Sequence, residues 1–287
     1  MKIKSRIITA IITIISISAY PQKSLLWEIS GNGLTQPSYL YGTMHMVCAE
    51  KAQLSEGLKN AIKASKEVFF EIDMDDMNEM MGALKYARMT NGLKINDLVS
   101  PEEYNRLDAY FKQNKSPLPL SMMAGFKPYF ITAMIAEGII KCSKKTSLEQ
   151  IIMEEAKKDD KSISGLESIE FQASLFDSIP YEKQAQDLVM YVDSIESFKK
   201  LTDETIAMYY KQDIDSMDSL MIKSDPGTAQ FMDLLLYNRN LRWADQIPEQ
   251  AFKTSTLFAV GAGHLGGEKG VINLLRKKGF TLKPLKN

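Results

Sequence analysis

Histidine and cysteine are scarce in this 287-residue chain, which holds two of each: His45 and His264, Cys48 and Cys142. A cage of many histidines and a four-cysteine zinc site are therefore excluded. Any imidazole chemistry must use His45, His264 or both. An excess of charge of one sign is also missing. The net charge is −1 and the pI is near 6.2, so no basic footprint calls for nucleic acid. No run of five like charges forms an acidic or basic tail. Beyond the N-terminal stretch, no segment is long and apolar enough to span a bilayer. There is no Gly-x-Ser-x-Gly elbow and no His-Glu-x-x-His helix, which disfavours the common serine hydrolases and zincins. The glycines Gly261, Gly263, Gly266 and Gly267 suggest a phosphate cradle. They lack the Lys-Ser/Thr pair of a P-loop and the strand–G-x-G-x-x-G frame.

What is present is an ordinary globular mix. Hydrophobic residues make up 45% and charged residues 25%, and the length suits one or two domains. The first residues read as a secretory signal. Lys2, Lys4 and Arg6 form a basic start, Ile7 to Ile17 an uncharged apolar stretch, and Ser16, Ser18 and Ala19 a small-residue cleavage region. The alternative is an uncleaved anchor. Residues 1–19 are thus expected to be a signal peptide, and residues 20–287 a single exported domain, periplasmic or secreted. Its net charge would be −4, because the removed segment carries three positive charges and no acid. In an oxidising compartment Cys48 and Cys142 could pair across about 94 residues, or remain as two buried thiols. A bridge would pin the loop that carries His45.

Hydrophobic patterning places a hairpin at 24–29 and 38–41, a helix at 55–65, a strand at 68–72 and a helix from Asp75 to about Met89. From about 100 to 245 the chain reads as a mostly helical insertion. Pro117, Pro119, Pro128, Pro180 and Pro226 punctuate it, and one strand at 162–166 interrupts it. A strand at 256–260, a helix at 267–278 stopped by Gly279 and a last strand at 280–282 follow. The fold class expected is α/β or α+β, with a central sheet built from both ends of the chain.

The two histidines occupy matching frames: Ser38-Tyr-Leu-Tyr-Gly42-Thr-Met-His45 and Thr256-Leu-Phe-Ala-Val-Gly261-Ala-Gly-His264. Each is an apolar strand, then glycine, then histidine three residues on. Glycine would allow a sharp turn, and histidine would project past the strand's carboxyl end, where α/β sheets place ligands. If the strands are neighbours, the imidazoles converge across 219 residues. Glu71 ends a third apolar strand, bracketed by Phe70 and Ile72, and a charge there needs a partner. Two imidazoles and a carboxylate would suit a divalent metal with water in an open position. Asp73 reads as a helix cap rather than a ligand. Glu167, ending a short strand, either joins the cleft or caps a helix. Arg239 either holds a substrate carboxylate or pairs at the surface. Met74, Met77, Met80 and Met81 form a helical stripe expected to pack in the core rather than to bind copper.

The ordered strings LLWEIS, SYLYGTMHMVC, VFFEID, SLEQ, GLESIEFQ, NRN and FAVGAGHLGGEKGVINLLRKKGFTL resemble the TraB/GumN family over roughly residues 24–285. That family is related to Tiki-type membrane-linked metalloproteases with two Gly-x-x-His motifs and a glutamate. The resemblance implies that His45 and His264 are metal ligands. Glu71 would take the acidic position, as third ligand or general base, and Arg239 the arginine position, with Glu167 beside it. It implies a divalent ion (manganese, cobalt or zinc) and a peptide or protein substrate. The implied fold is that of erythromycin esterase and the haem-binding ChaN proteins. The activity implied is metal-dependent hydrolysis. The alternatives are an envelope protein that captures haem, a metal or a peptide in the same cleft without turnover, and a structural envelope protein with a relict site.

Overall fold

The computed structural model describes residues 23–287 except 115, 117, 218, 219 and 221–229. The expected signal segment 1–19, Pro117 and Pro226 lie outside the described residues. The chain enters the sheet with strands β1 (Leu26–Ser30) and β2 (Ser38–Thr43), then a two-residue strand β3 (Val47–Cys48). Helix α1 (Glu56–Ala64) starts where the Ser55 hydroxyl accepts from the Leu58 N–H. Strand β4 (Glu67–Ile72) and helix α2 (Met77–Tyr86) follow. Next come helices α3 (Pro101–Gln113), α4 (Leu120–Met123) and α5 (Pro128–Ile139), with proline in the first turn of α3 and α5. A short β5 (Lys145–Thr146) leads to α6 (Leu148–Lys157), capped by Ser147, and to β6 (Ser162–Glu167). Helices α7 (Ile169–Asp177), α8 (Tyr181–Asp193) and α9 (Ile195–Tyr210) follow. A π turn at Asp233–Tyr237 opens α10 (Asn238–Ala251); β7 (Thr256–Gly261), α11 (Val271–Lys277) and β8 (Thr281–Pro284) close the chain.

The protein is mixed α/β. Its central sheet has strand order β6-β4-β7-β2-β1-β8. The four strands from β6 to β2 run parallel, and β1 and β8 are antiparallel additions from opposite ends of the chain. The expected neighbour relation is present: β2 pairs with β7 in parallel, Gly42 facing Val260 and Thr43 facing Gly261. Strand β7 is buried from Thr256 to Val260, as a parallel strand covered on both faces must be. The sheet's apolar cluster includes Trp27, Phe70, Phe258, Ile62, Trp243 and Leu275. Residues of α6 and β6 join it through Ile152, Ala156 and Leu166. A second apolar cluster, around Ile95, Leu107, Ile131 and Leu188, lies among α3, α4, α5 and α8.

Three local expectations change. The helix expected at 267–278 begins only at Val271, because Gly267 has φ +77° and its following residues form a loop. The methionines of α2 are not core: Met77 and Met81 are about 70% and 75% exposed, and α2 buries no residue. Helical spacing gives a face, but α2 stands at the periphery against α7, and nothing among the described residues covers that face. The small strands β3 and β5 have no pattern long enough to read. They pair with each other, and Cys48 and Cys142 form a disulfide beside them, with Cα atoms 5.6 Å apart.

Candidate metal centre

Four parallel strands deliver four polar side chains to one end of the sheet. His45 follows β2, Glu71 lies near the end of β4, His264 follows β7, and Glu167 ends β6. Carboxyl ends of adjacent parallel strands are where open α/β sheets bind ligands. The point they share is the α-carbon face of Gly261. A Cβ built there would stand 3.1 Å from Glu71 Oε1, 3.6 Å from His264 Cδ2 and 3.7 Å from His45 Nε2. Glu71 Oε1 is also 3.7 Å from His264 Nε2 and accepts the Gly261 N–H at 2.8 Å.

The glycines do not act through turn geometry as expected. Neither Gly42 nor Gly261 has positive φ, and Gly261 sits at φ −52°, ψ 134°. Their role is close approach. A Cβ at Gly42 would meet Leu265 Cδ2 at 3.0 Å and Ala262 at 3.1 Å, so glycine lets β2 press against the turn that carries His264.

Each imidazole is held by its Nδ1. The Asn240 amide donates to the Lys269 carbonyl, so its Oδ1 is an acceptor and takes the His264 Nδ1–H at 2.6 Å. That leaves the His264 Nε2 lone pair turned toward Arg239 and Glu71. His45 Nδ1 donates to Glu149 Oε1 at 2.7 Å, and the Thr43 hydroxyl donates to the same oxygen at 2.6 Å. His45 Nε2 therefore faces the cleft. Sequence reasoning assigned no role to Glu149 or Asn240, although both lie in quoted strings, SLEQ and NRN.

Arg239 knits the acids together from the first turns of α10. Its Nε donates to Glu167 Oε2 at 2.9 Å and its Nη2 to Glu71 Oε2 at 2.5 Å. Its Nη1 donates to the Leu235 carbonyl at 3.1 Å, and to His264 Nε2 at 3.3 Å. It stacks over Trp243, 4.7 Å from the ring centroid, and Trp243 in turn lies against His264. Gln172 of α7 donates to both Glu71 and Glu167 at 3.3 Å. Asp73 caps the approach to α2, accepting from the Asp75 and Asp76 N–H groups, and stays out of the cluster.

The electrostatics follow. Burial alone would raise the Glu71 carboxyl. The charges of His264, Arg239 and His45, with the Gly261 N–H, outweigh it and hold Glu71 well below the usual carboxylate range. Burial drives the His264 imidazole down to about 3, against the pull of Glu71 and aided by Arg239 and His45. His264 is thus neutral at neutral pH, so there Arg239 and His45 are the cations that act on Glu71, and the charge of His264 joins them only in acid. For His45, desolvation would lower the imidazole. Its side chain is 70% exposed, however, so the hydrogen bond and charge of Glu149, joined by the charge of Glu71, set the direction and push it up to about 9.

Among the described residues, no three His, Cys, Asp or Glu side chains are gathered closely enough to hold an ion as they stand. Arg239 occupies lone pairs of Glu71 and His264. The donor chemistry still fits a divalent ion. His45 Nε2, the Cδ2 edge of the His264 ring and one Glu71 oxygen border the cradle that a Gly261 Cβ would fill, and each ring's Nδ1 is already committed.

Fold and site together define an α/β protein with a composite histidine–carboxylate cleft at the carboxyl ends of parallel strands. The TraB/PrgY/gumN family matches residues 25–284, and the chain belongs to that family. It is similar to Metalloprotease TIKI1 of Danio rerio, 26% identical over 313 residues, covering 91% of this chain and 63% of that protein. It is 23% identical over 329 residues to the Metalloprotease TIKI homolog of Nematostella vectensis, covering 93% and 68%. Against Metalloprotease TIKI1 of Homo sapiens it is 23% identical over 317 residues, covering 91% and 61%. The chain therefore spans about six tenths of the length of most of these relatives. No solved structure matches the chain. No helix among the described residues is long and apolar enough to cross a membrane.

Proposed function

We propose that this protein is an exported metal-dependent hydrolase acting on peptide bonds, periplasmic or secreted, with its signal in residues 1–19. One observation carries the reading: His45 Nε2, His264 and Glu71 Oε1 border a single glycine cradle, and each ring's Nδ1 is held by an oxygen acceptor. The names of the metalloprotease relatives support the reaction class.

His45, His264 and Glu71 would hold the ion. Manganese, cobalt and zinc all accept this donor set. When bound, such an ion supplies Lewis acidity toward a carbonyl oxygen and an acidified water. Glu149 and Asn240 fix which nitrogen each ring turns to the cluster, and His45, protonated at neutral pH, would give up its Nε2 proton on binding the ion. Arg239, with its donors engaged by the protein, orders Glu71 rather than reaching for substrate, and Glu167 anchors Arg239. Glu71 is ionised across the working pH range and is available as a ligand; a carboxylate held so far below its ordinary range is a weak base toward water.

The test is elemental analysis of purified protein together with a peptide-library cleavage screen. His45→Ala and His264→Ala should each lose metal and turnover. His45→Ala should lose roughly 1–3 kcal/mol, because the buried Glu149 carboxylate loses its imidazole donor. His264→Ala should lose roughly 1–3 kcal/mol, because a buried Asn240 oxygen loses its donor. If both variants retain full metal content, the assignment is wrong. A second reading is a binding protein without turnover. It is favoured by the hold that Arg239 already has on Glu71 and His264. Metal or haem uptake with no cleavage of any peptide would select it.

A further inference from the structure

We propose that the hollow beside His45 is a specificity pocket for one large apolar side chain of a peptide substrate; this rests on the hydrolase reading above. The hollow measures about 360 Å³ and lies between α5, α9 and the loop following β2. That is near the lower end of small-ligand pockets, about 300–1,000 Å³, and suits a single bulky side chain with its adjoining backbone.

Its chemistry is one-sided. Met44, Ile140, Phe198, Leu201 and Ile206 line it, with His45 at the edge shared with the metal centre and the Glu137 carboxylate on the α5 wall. Thr202 and Thr205 also line it, but their hydroxyls already donate to the carbonyls of Phe198 and Leu201 within α9. They have no uncommitted donor for a polar guest. An acidic side chain placed there would lose hydration, find no free donor on α9 and face the Glu137 carboxylate of α5. Helix α9 is 16 residues long and buries only Tyr209 fully; its two ends pack on the core through Ile195, Phe198, Met208 and Tyr209, while Leu201 and Ile206 between them border the hollow.

The pocket is also fixed in register with the chemistry. Met44, His45 and Met46 all border it, and His45 Nε2 turns to the Gly261 cradle. The Cys48–Cys142 disulfide ties this loop to the chain just after α5, the pocket's opposite wall. A side chain seated in the hollow would therefore bring its own peptide group beside His45. A guest bound by burial of its apolar surface is the occupant that this continuity selects.

The test uses the full chain, loaded with zinc or manganese, and two synthetic peptides identical except for one central residue, phenylalanine or glutamate. Binding is measured at equilibrium by calorimetry and turnover separately by mass spectrometry. Wild type should bind the phenylalanine peptide at least about tenfold more tightly. Ala136→Trp, which fills the hollow from α5, and Leu201→Lys, which charges it from α9, should each largely abolish that preference. Both should retain wild-type metal content. Loss of the preference in either variant that keeps its metal and its melting temperature supports the pocket. An equal preference in wild type and in a folded variant, or none in wild type, overturns it. Turnover without any apolar preference removes the pocket and leaves the hydrolase. A preference that persists in binding while no peptide is ever cleaved removes the hydrolase and leaves the pocket.

Discussion

Replacing Gly261 by alanine separates the site from the fold. The backbone at φ −52°, ψ 134° is one that alanine adopts freely. Losing glycine's freedom in the unfolded chain should by itself stabilise the protein by about 0.4–1 kcal/mol. The new methyl group would stand 3.1 Å from Glu71 Oε1, so the carboxylate must retreat by a few tenths of an ångström. It has little room to do so. Its other oxygen is held by Arg239 at 2.5 Å and by Gln172 at 3.3 Å, and Oε1 itself accepts the Gly261 N–H. Metal–ligand distances hold to within about 0.2 Å. The methyl also lies 3.6 and 3.7 Å from the two imidazoles, inside the space that a shared ion would need. Gly261→Ala should therefore melt at or slightly below the wild-type temperature, the strain against the held Glu71 carboxylate offsetting the gain from the unfolded chain. Turnover should fall about a hundredfold or more, and retained metal should fall with it. Thermal unfolding, elemental analysis and a peptide-cleavage assay read the three quantities on one preparation. Full metal content with turnover within about threefold of wild type would refute a shared cradle.

Three other outcomes follow from the same geometry. Arg239→Met leaves Glu71 and Glu167 as buried carboxylates without their cation, and should cost about 3–5 kcal/mol in urea unfolding; a loss below about 1 kcal/mol would mean that these contacts behave like surface pairs. The Cys48→Ser/Cys142→Ser double variant frees a loop of sequence separation 94 and should lose about 4–5 kcal/mol, with weaker metal retention because His45 lies three residues from Cys48; unchanged metal affinity would show that the bridge does not hold the His45 loop. Acid should destabilise the protein in two overlapping steps. The unfolded chain protonates His264 below about 6.5 while the folded ring resists until about 3, and the stability supplied by ionised Glu71 is present above its ordinary 4.5 and lost as pH falls below it. His45 acts in the opposite direction, its contribution complete below 6.5 and lost as pH rises through about 9. A melting temperature that stays flat from pH 7 to pH 4 would contradict the first two assignments.

The convergence of the chain ends was legible because the same local frame occurs twice. A strand, a glycine and a histidine at fixed spacing fix where a side chain leaves a sheet, and parallel pairing of β2 with β7 supplies the rest. Glu71 was legible for a different reason: a charge between two apolar strand residues needs a partner, and it has Arg239. The reason for the glycines was not legible. Sequence suggests a turn, whereas Gly42 is needed for contact with Ala262 and Leu265, and Gly261 for the space between three polar groups. The methionines of α2 failed for the converse reason. Periodicity shows that a helix has an apolar face and says nothing about whether another element reaches it.

Glu149 and Asn240 could not be found by local pattern, because neither is near its histidine in sequence. Glu149 sits in the first turn of α6, 104 residues from His45, and Asn240 in the first turn of α10, 24 residues before His264. A histidine leaving a strand end is free to rotate about its side-chain bonds, and either ring nitrogen can face outward. Only an acceptor brought in from a separate helix removes that choice. The strands therefore set where the imidazoles stand, and the helices set which nitrogen each presents. An imidazole that presents the wrong nitrogen cannot ligate, however well its α-carbon is placed. The helical stretches between the sheet strands are thus more than cover for the core. Their first turns complete the chemistry that the two Gly-x-x-His frames begin.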